Sequence, residues 1–224
     1  MRKDGPRLQR TSLVECLTGG KAVLVLGAHC DDAALGCGGL LVRLSAMPEA
    51  AGARIGMTFT GGGNASRVAE EQAAAKALGL TEIDVRSYPD TLLPDHSGSI
   101  KDELLRRREA IGVDRIGLVL CPSLEDRHQD HRIVAENAWR IFRDHVILEY
   151  EILKYEADLP QPNFYVGLTE AEAERKAAIL EECYPSRARH HWWGRQRFLS
   201  LMQIRGVQAN CRYAEAYVAR KLVV

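Results

Sequence analysis

Between residue 21 and about residue 150 the chain switches repeatedly between two periodicities, and that alternation restricts its fold more than any other feature. The short aliphatic runs KAVLVLG, RIGMTFT, DVRSY and RIGLVLCP are each followed by a stretch with helical spacing, respectively ALGCGGLLVRLSA, SRVAEEQAAAKALG, SIKDELLRRREAIG and HRIVAENAWRIFRDH, and a last run, HVILEYEI, closes the series. Strand, helix and strand in succession predict βαβ units and a mostly parallel sheet. KAVLVLG and RIGLVLCP are almost continuously apolar, as central strands covered on both faces must be. The expected fold is therefore α/β, a Rossmann-like three-layer sandwich. In such folds the crossovers are right-handed and ligands gather outside the carboxyl ends of the strands.

Beyond residue 159 the pattern loosens into LPQPNFYVGLT, a helical stretch over residues 170–182 and an aromatic, basic segment, RARHHWWGRQRF. No second domain boundary is marked, so residues 1–224 are read as one domain, with residues 1–20 as an N-terminal extension. Thirty basic and thirty acidic residues cancel without long runs of either sign, which excludes the basic footprint of a general nucleic-acid binder and favours a small-molecule partner. Six cysteines, at 16, 30, 37, 121, 183 and 211, are scattered without a C-x-x-C pair and read as reduced thiols. There is no apolar segment of signal-peptide or membrane-span length, and a cytoplasmic location is expected. A homo-oligomer is left open.

The chemistry concentrates at two strand ends. KAVLVLG runs directly into AHCDDAALGCGG, which delivers His29, Asp31 and Asp32 to the carboxyl edge of the first strand; RIGLVLCP runs into SLEDRHQDHR, which delivers His128, Asp130 and His131 to the edge of the fourth. If those strands are neighbours, as at a topological switch point, the two loops face one crevice. Each residue has an ordinary explanation when taken singly: a carboxylate opening a helix is often an N-cap or dipole partner, and a His beside an Asp is often an exposed pair. H-x-x-D at one strand end together with H-x-D-H at another is poorly explained that way. A catalytic zinc site wants three His or carboxylate ligands and an open position for water, which His29, Asp32 and His131 would supply. Gly36, Gly38 and Gly39 lack G-x-G-x-x-G spacing, so close packing of a helix on the sheet accounts for them better than phosphate binding.

The first stretch resembles the A-H-P-D-D-x-x-L-G-x-G-G signature of the LmbE-like (PIG-L) zinc-dependent N-deacetylases, with Cys30 in place of proline; DRHQDH is similar to the family's H-P-D-H element, with Gln129 in place of proline. RVAEEQAAAKALG, YPDTLLPD, and PNFYVGLT with the later QANCRYAEAY follow in the family's order as weaker echoes. The resemblance implies His29, Asp32 and His131 as metal ligands, Asp31 as general base, and His128 as a charged oxyanion stabiliser oriented by Asp130. It implies Zn2+ as cofactor, with Fe2+ or Co2+ as alternatives, and an N-acyl amino sugar, in the first instance an N-acetylglucosamine conjugate, as substrate. Arg67 would bind sugar hydroxyls or a linked phosphate, while Asn163, Tyr165 and RARHHWWGRQRF, within residues 159–224, would shape the outer cleft. Cys30 and Cys121 flank the site and are read as packing residues. An amidase acting on another N-acyl substrate, such as a thiol conjugate or an antibiotic intermediate, would need the same residues. A non-catalytic nucleotide- or sugar-binding domain would not need the base.

Overall fold

The computed structural model describes residues 18–47 and 52–222 of the chain; most of the expected N-terminal extension, with Cys16, lies outside the described residues. The elements run β1 (Ala22–Gly27), α1 (Asp32–Ser45), β2 (Arg54–Thr60), α2 (Ala65–Ala77), β3 (Glu82–Tyr88), α3 (Ser97–Ile111), β4 (Ile116–Pro122), α4 (Gln129–Ile141), β5 (Val146–Tyr150), β6 (Phe164–Leu168), α5 (Glu170–Cys183), α6 (Arg195–Gln208) and β7 (Tyr213–Val218). They build one seven-stranded sheet in the order β3-β2-β1-β4-β5-β7-β6. The five strands expected from the sequence are all parallel neighbours in it, and β7 is antiparallel to both β5 and β6.

All six residues of β1 are buried. Val23 and Val25 face a core shared with α1, α2, α5 and α6, while Leu24 and Leu26 face one shared with α3 and α4. The chain is thus the expected three-layer sandwich, each fully buried aliphatic side chain contributing about 1.5–3 kcal/mol of transfer free energy. Strand β1 pairs with β2 on one side and with β4 on the other, so the sheet order reverses between β1 and β4. The loops carrying the two histidine motifs leave from that point.

Helix α1 reaches the sheet through its glycines. A Cβ on Gly36 would stand 2.1 Å from Tyr150 Cδ2, and one on Gly39 would stand 2.5 Å from Leu168 Cδ1. The helix also breaks at Cys37 (φ −134°, ψ 17°). The Gly39 and Leu40 amides, freed by that break, donate to buried Glu215 at 2.7 and 2.8 Å, and the freed Leu35 carbonyl accepts from buried Lys176 at 2.6 Å. Lys176 and Glu215 pair at 2.7 Å, so one buried ion pair from α5 and β7 satisfies the break and fixes the helix that begins at the first histidine motif.

Two strands and a helix escaped the sequence reading. β7 carries Glu215 on an inward face, which interrupts the apolar alternation of YAEAYV, and β6 is an edge strand joined only to β7. RARHHWWGRQRF is a loop only in its first half, and α6 starts at Arg195. The described cysteines are all free thiols; Cys30, Cys37 and Cys121 are buried. Among the described residues no helix is long and apolar enough to cross a membrane.

Candidate metal centre and active site

Asp31 ends the first strand–helix turn with φ 108°, a left-handed conformation that L-residues rarely adopt, and its side chain does not cap α1. The N-cap explanation therefore fails for it, and its carboxylate is free to face other groups. Its backbone amide is held by Glu71 Oε2 at 3.1 Å. Asp32 Oδ2 closes the turn, accepting from the Ala28 and His29 amides at 2.8 and 2.9 Å.

Three acceptor atoms converge beside that turn. His29 Nδ1 lies 3.0 Å from His131 Nε2, and Asp32 Oδ2 lies 3.7 Å from the first and 3.5 Å from the second. Bonds of about 2.0–2.1 Å to a tetrahedral ion put ligand atoms about 3.3–3.4 Å apart, so the triangle has the size a zinc-like ion requires. The outer nitrogens show what the inner ones carry. His29 Nε2 meets Asp130 Oδ2 at 3.1 Å and Asp90 Oδ1 at 3.0 Å, and His131 Nδ1 meets Asp126 Oδ2 at 2.8 Å. Carboxylates demand the N–H on those outer positions, which leaves a lone pair on each inner nitrogen. Two lone pairs and a carboxylate oxygen pointing at one spot repel unless a cation or a proton stands between them, and a carboxylate behind each ligating histidine is the usual support of a metal site.

The carboxylates and histidines stabilise each other's charged forms. Burial by itself would raise Asp32, but His131 and His29 outweigh it and hold its carboxyl well below the usual range. Burial would lower His29, yet Asp130, Asp32 and Asp90 together raise it well above the ordinary histidine value. Cys30 is pushed up to about 12 by burial, an inert thiol and not a ligand.

His128 stands over the same triangle, its ring centroid 4.8 Å from that of His29 and 4.7 Å from that of His131. It caps α4, its Nδ1 accepting from the Asp130 amide at 3.3 Å. That fixes the proton on Nε2 and makes the ring a donor. His29, His128 and His131 also offer nitrogens close enough for one ion, but a protonated Nε2 cannot ligate. The expected Asp130–His128 couple is absent: the Asp130 carboxylate is spent on His29 Nε2 and on the Thr91 and Leu93 amides, at 2.8 and 3.1 Å. Burial, then His131 and His29, pull His128 below its ordinary value against Asp130 and Asp32, which disfavours the charged ring. The Asp130 carboxylate is paired with His29 instead.

Asp31 receives Arg187 Nε on Oδ2 at 2.5 Å, with Arg67 Nη2 4.0 Å from Oδ1. Burial raises Asp31, and the two arginines oppose that rise. Arg67 is spent on the Cys30 carbonyl at 2.5 Å and on Ser186 Oγ at 3.3 Å. Asn163 and Tyr165 are not at the site. They lie on or beside edge strand β6, three strands from β4, roughly 14 Å away at the usual strand spacing. Asn163 clamps the Ala219 backbone at 2.8 and 3.1 Å, and Tyr165 donates to the Pro162 carbonyl at 3.2 Å. Trp193 is a core residue against Tyr184 and Phe198. Sequence reasoning gave no role to Asp90, Asp126, Glu71 or Arg187, although all four lie in segments it singled out, Asp90 in YPDTLLPD, Glu71 in RVAEEQAAAKALG, Asp126 in DRHQDH five residues before its partner His131, and Arg187 at the head of RARHHWWGRQRF.

The PIG-L profile, GlcNAc-PI de-N-acetylase, matches residues 24–142, more than half of the chain, and the chain belongs to that family. Among solved structures it is similar to a conserved protein of Thermus thermophilus (TM-score 0.72, 23% identity, 91% of this chain and 96% of that one). It is similar as well to the N,N'-diacetylchitobiose deacetylase of Pyrococcus horikoshii (0.67, 22%, 88% and 82%). A third similar structure is the 4-carboxy-2-hydroxymuconate hydratase of Pseudomonas putida (0.70, 19%, 91% and 98%). These likenesses share the α/β fold described above.

Proposed function

We propose that the protein is a metal-dependent N-deacetylase that hydrolyses the acetamide of a glucosamine-type sugar or conjugate. One observation carries the reading: His29 Nδ1, His131 Nε2 and Asp32 Oδ2 converge as acceptors, with Asp31 and His128 beside them, in a chain of the PIG-L family. His29, Asp32 and His131 would hold Zn2+, and Fe2+ or Co2+ suit the same donors. When bound, such an ion supplies Lewis acidity and makes water acidic enough to ionise near pH 7.

The chain's own groups do the rest. Asp31, with Arg187 opposing the rise that burial imposes on it, takes the proton of the attacking water as general base. His128, with its hydrogen on Nε2, donates to the oxygen of the acyl group as that oxygen becomes negative. Asp130 and Asp126 hold the two ligand rings in register. Arg67 borders the base and, with its guanidinium donating to the Cys30 carbonyl and Ser186, lines that wall of the cleft. The continuous sheet supports reading residues 1–224 as one domain, and the free thiols support a cytoplasmic location.

The reading is tested by metal analysis of the purified protein and by acetate release from a panel of N-acetylglucosamine conjugates. Zinc binding with acetate release supports it. A protein that binds no divalent ion and releases no acetate after zinc is added overturns it. Hydrolysis confined to other N-acyl compounds would keep the mechanism and change the substrate.

A further inference from the structure

Arg187 uses only part of its guanidinium. Its Nε donates to Asp31, and among the described residues neither Nη1 nor Nη2 makes a hydrogen bond. The residue is held in place from behind. Ser186 donates through its amide and its hydroxyl to Glu70 at 2.8 and 2.7 Å, and the Tyr184 hydroxyl donates to buried Glu71 at 2.7 Å, which pins the turn Pro185–Arg187 to α2. The Arg187 side chain keeps 27% of its surface exposed. A desolvated base thus anchors one edge of the fork, and the other nitrogens remain available at the cleft.

The carboxylates whose charge Arg187 feels are Asp31, Asp32 and Asp90. Asp31 is engaged by Arg187, Asp90 and Asp130 by His29, and Glu70 by Ser186. Arg67 is spent on Cys30 and Ser186, so it is not the free cation of the pair. Burial, and then Arg187, Arg189, His191 and Arg67, push His190 below its ordinary pKa, as a locally positive field would. A guanidinium with adjacent unpaired N–H groups matches two oxygens of a carboxylate or a phosphate in a way a neutral hydroxyl does not.

We infer that Arg187 is a specificity-determining residue that binds an oxyanion, carboxylate or phosphate, carried by the substrate close to its N-acyl group. This rests on the deacetylase reading and adds to it the charge of the substrate. The same guanidinium touches the proposed base, so the anion it holds lies near the scissile amide rather than at a distant end of the substrate.

The test uses three N-acetylglucosamine glycosides whose aglycones differ only in being neutral, carboxylated or phosphorylated. Binding to the metal-free and the zinc-loaded protein is measured by calorimetry, and kcat and KM for acetate release by the zinc-loaded protein. At least one anionic glycoside is expected to bind more tightly than the neutral one, and which of the two does so identifies the oxyanion. Arg187→Gln should weaken that binding about 10- to 100-fold, as loss of a charged hydrogen-bonding partner does, and leave the neutral glycoside within about threefold. The kinetic loss on the anionic substrate beyond that on the neutral one should fall in KM, and Arg187→Lys should recover only part of it. Equal binding of all three glycosides by the parent overturns the inference. So does an Arg187→Gln loss of the same factor on all three, which is what a role confined to holding Asp31 would give. Anion-selective binding without acetate release from any glycoside would uphold the Arg187 site and sink the deacetylase reading instead.

Discussion

His29 Nδ1 and His131 Nε2 face each other across 3.0 Å, although 102 residues separate them in the chain. Each ring is turned that way by a carboxylate on its far side, Asp130 for His29 and Asp126 for His131. The arrangement needs a positive charge between the rings, a cation or a proton.

The carboxylate behind His131 should therefore matter to metal affinity without touching the ion. Asp126→Asn should weaken zinc binding about 10- to 100-fold in a chelator competition, the range found when such outer partners are removed. His131→Ala should abolish binding, because two ligands hold zinc poorly. Unchanged affinity in Asp126→Asn would mean that His131 does not ligate through Nε2.

Asp31 is expected to act on a proton and not on the metal. Asp31→Asn should retain zinc and lose about a hundredfold or more in turnover, the share usually attributed to a general base. A variant that turns over normally removes Asp31 from the mechanism.

His128→Ala should lower kcat by about two to three orders of magnitude, as the loss of an oxyanion donor does. Because burial and the neighbouring histidines disfavour the charged ring, its donor capacity does not vanish as the pH rises. The basic limb of the pH–rate profile should be the same in parent and variant. A basic limb that disappears in the variant would show that the charged ring is the working form.

Burial raises Glu71 to about 7 from an ordinary value of 4.5, despite the opposing hydrogen bonds from Tyr184 and Thr58. Between those values the folded protein holds a proton that the unfolded chain has released. The stabilisation from this group is thus full below about pH 4.5 and is lost as the pH rises through about 7. Glu71→Gln, which stays neutral, should gain stability relative to the parent between pH 5 and pH 8 in urea unfolding, roughly as that linkage requires. A difference that does not change with pH would show that the carboxyl titrates normally.

The buried pair that staples the break in α1 gives a purely structural prediction. Lys176→Met leaves Glu215 charged and unpaired in the interior, and should cost about 3–5 kcal/mol in urea unfolding. A loss below about 1 kcal/mol would mean that water replaces the amine.

The five parallel strands and the two histidine motifs were legible in the sequence because they depend on local pattern: β-branched runs such as AVLVLG cannot be mistaken for surface segments, and H-x-x-D or H-x-D-H places its groups on one turn wherever that turn lies. β6 and β7 were not legible, since an edge strand and a strand with inward-facing Glu215 break the apolar rhythm on which such reading relies. His29, Asp32 and His131, grouped from the sequence, do lie together, but their outer partners were not foreseen. Asp130 follows His128 by two residues and was assigned to it, yet at the start of α4 His128 caps the helix through the Asp130 amide, and His29 from the other loop takes the carboxylate. Arg187 shows the same limit from further away, meeting Asp31 across 156 residues. Local sequence determined which chemical groups stand at the ends of β1 and β4. Only the packing of α2 and the Pro185–Arg187 turn against them decided which proton each group holds and which charge it faces, because hydrogen bonds and ion pairs are set by distances of a few ångström that no spacing along the chain encodes.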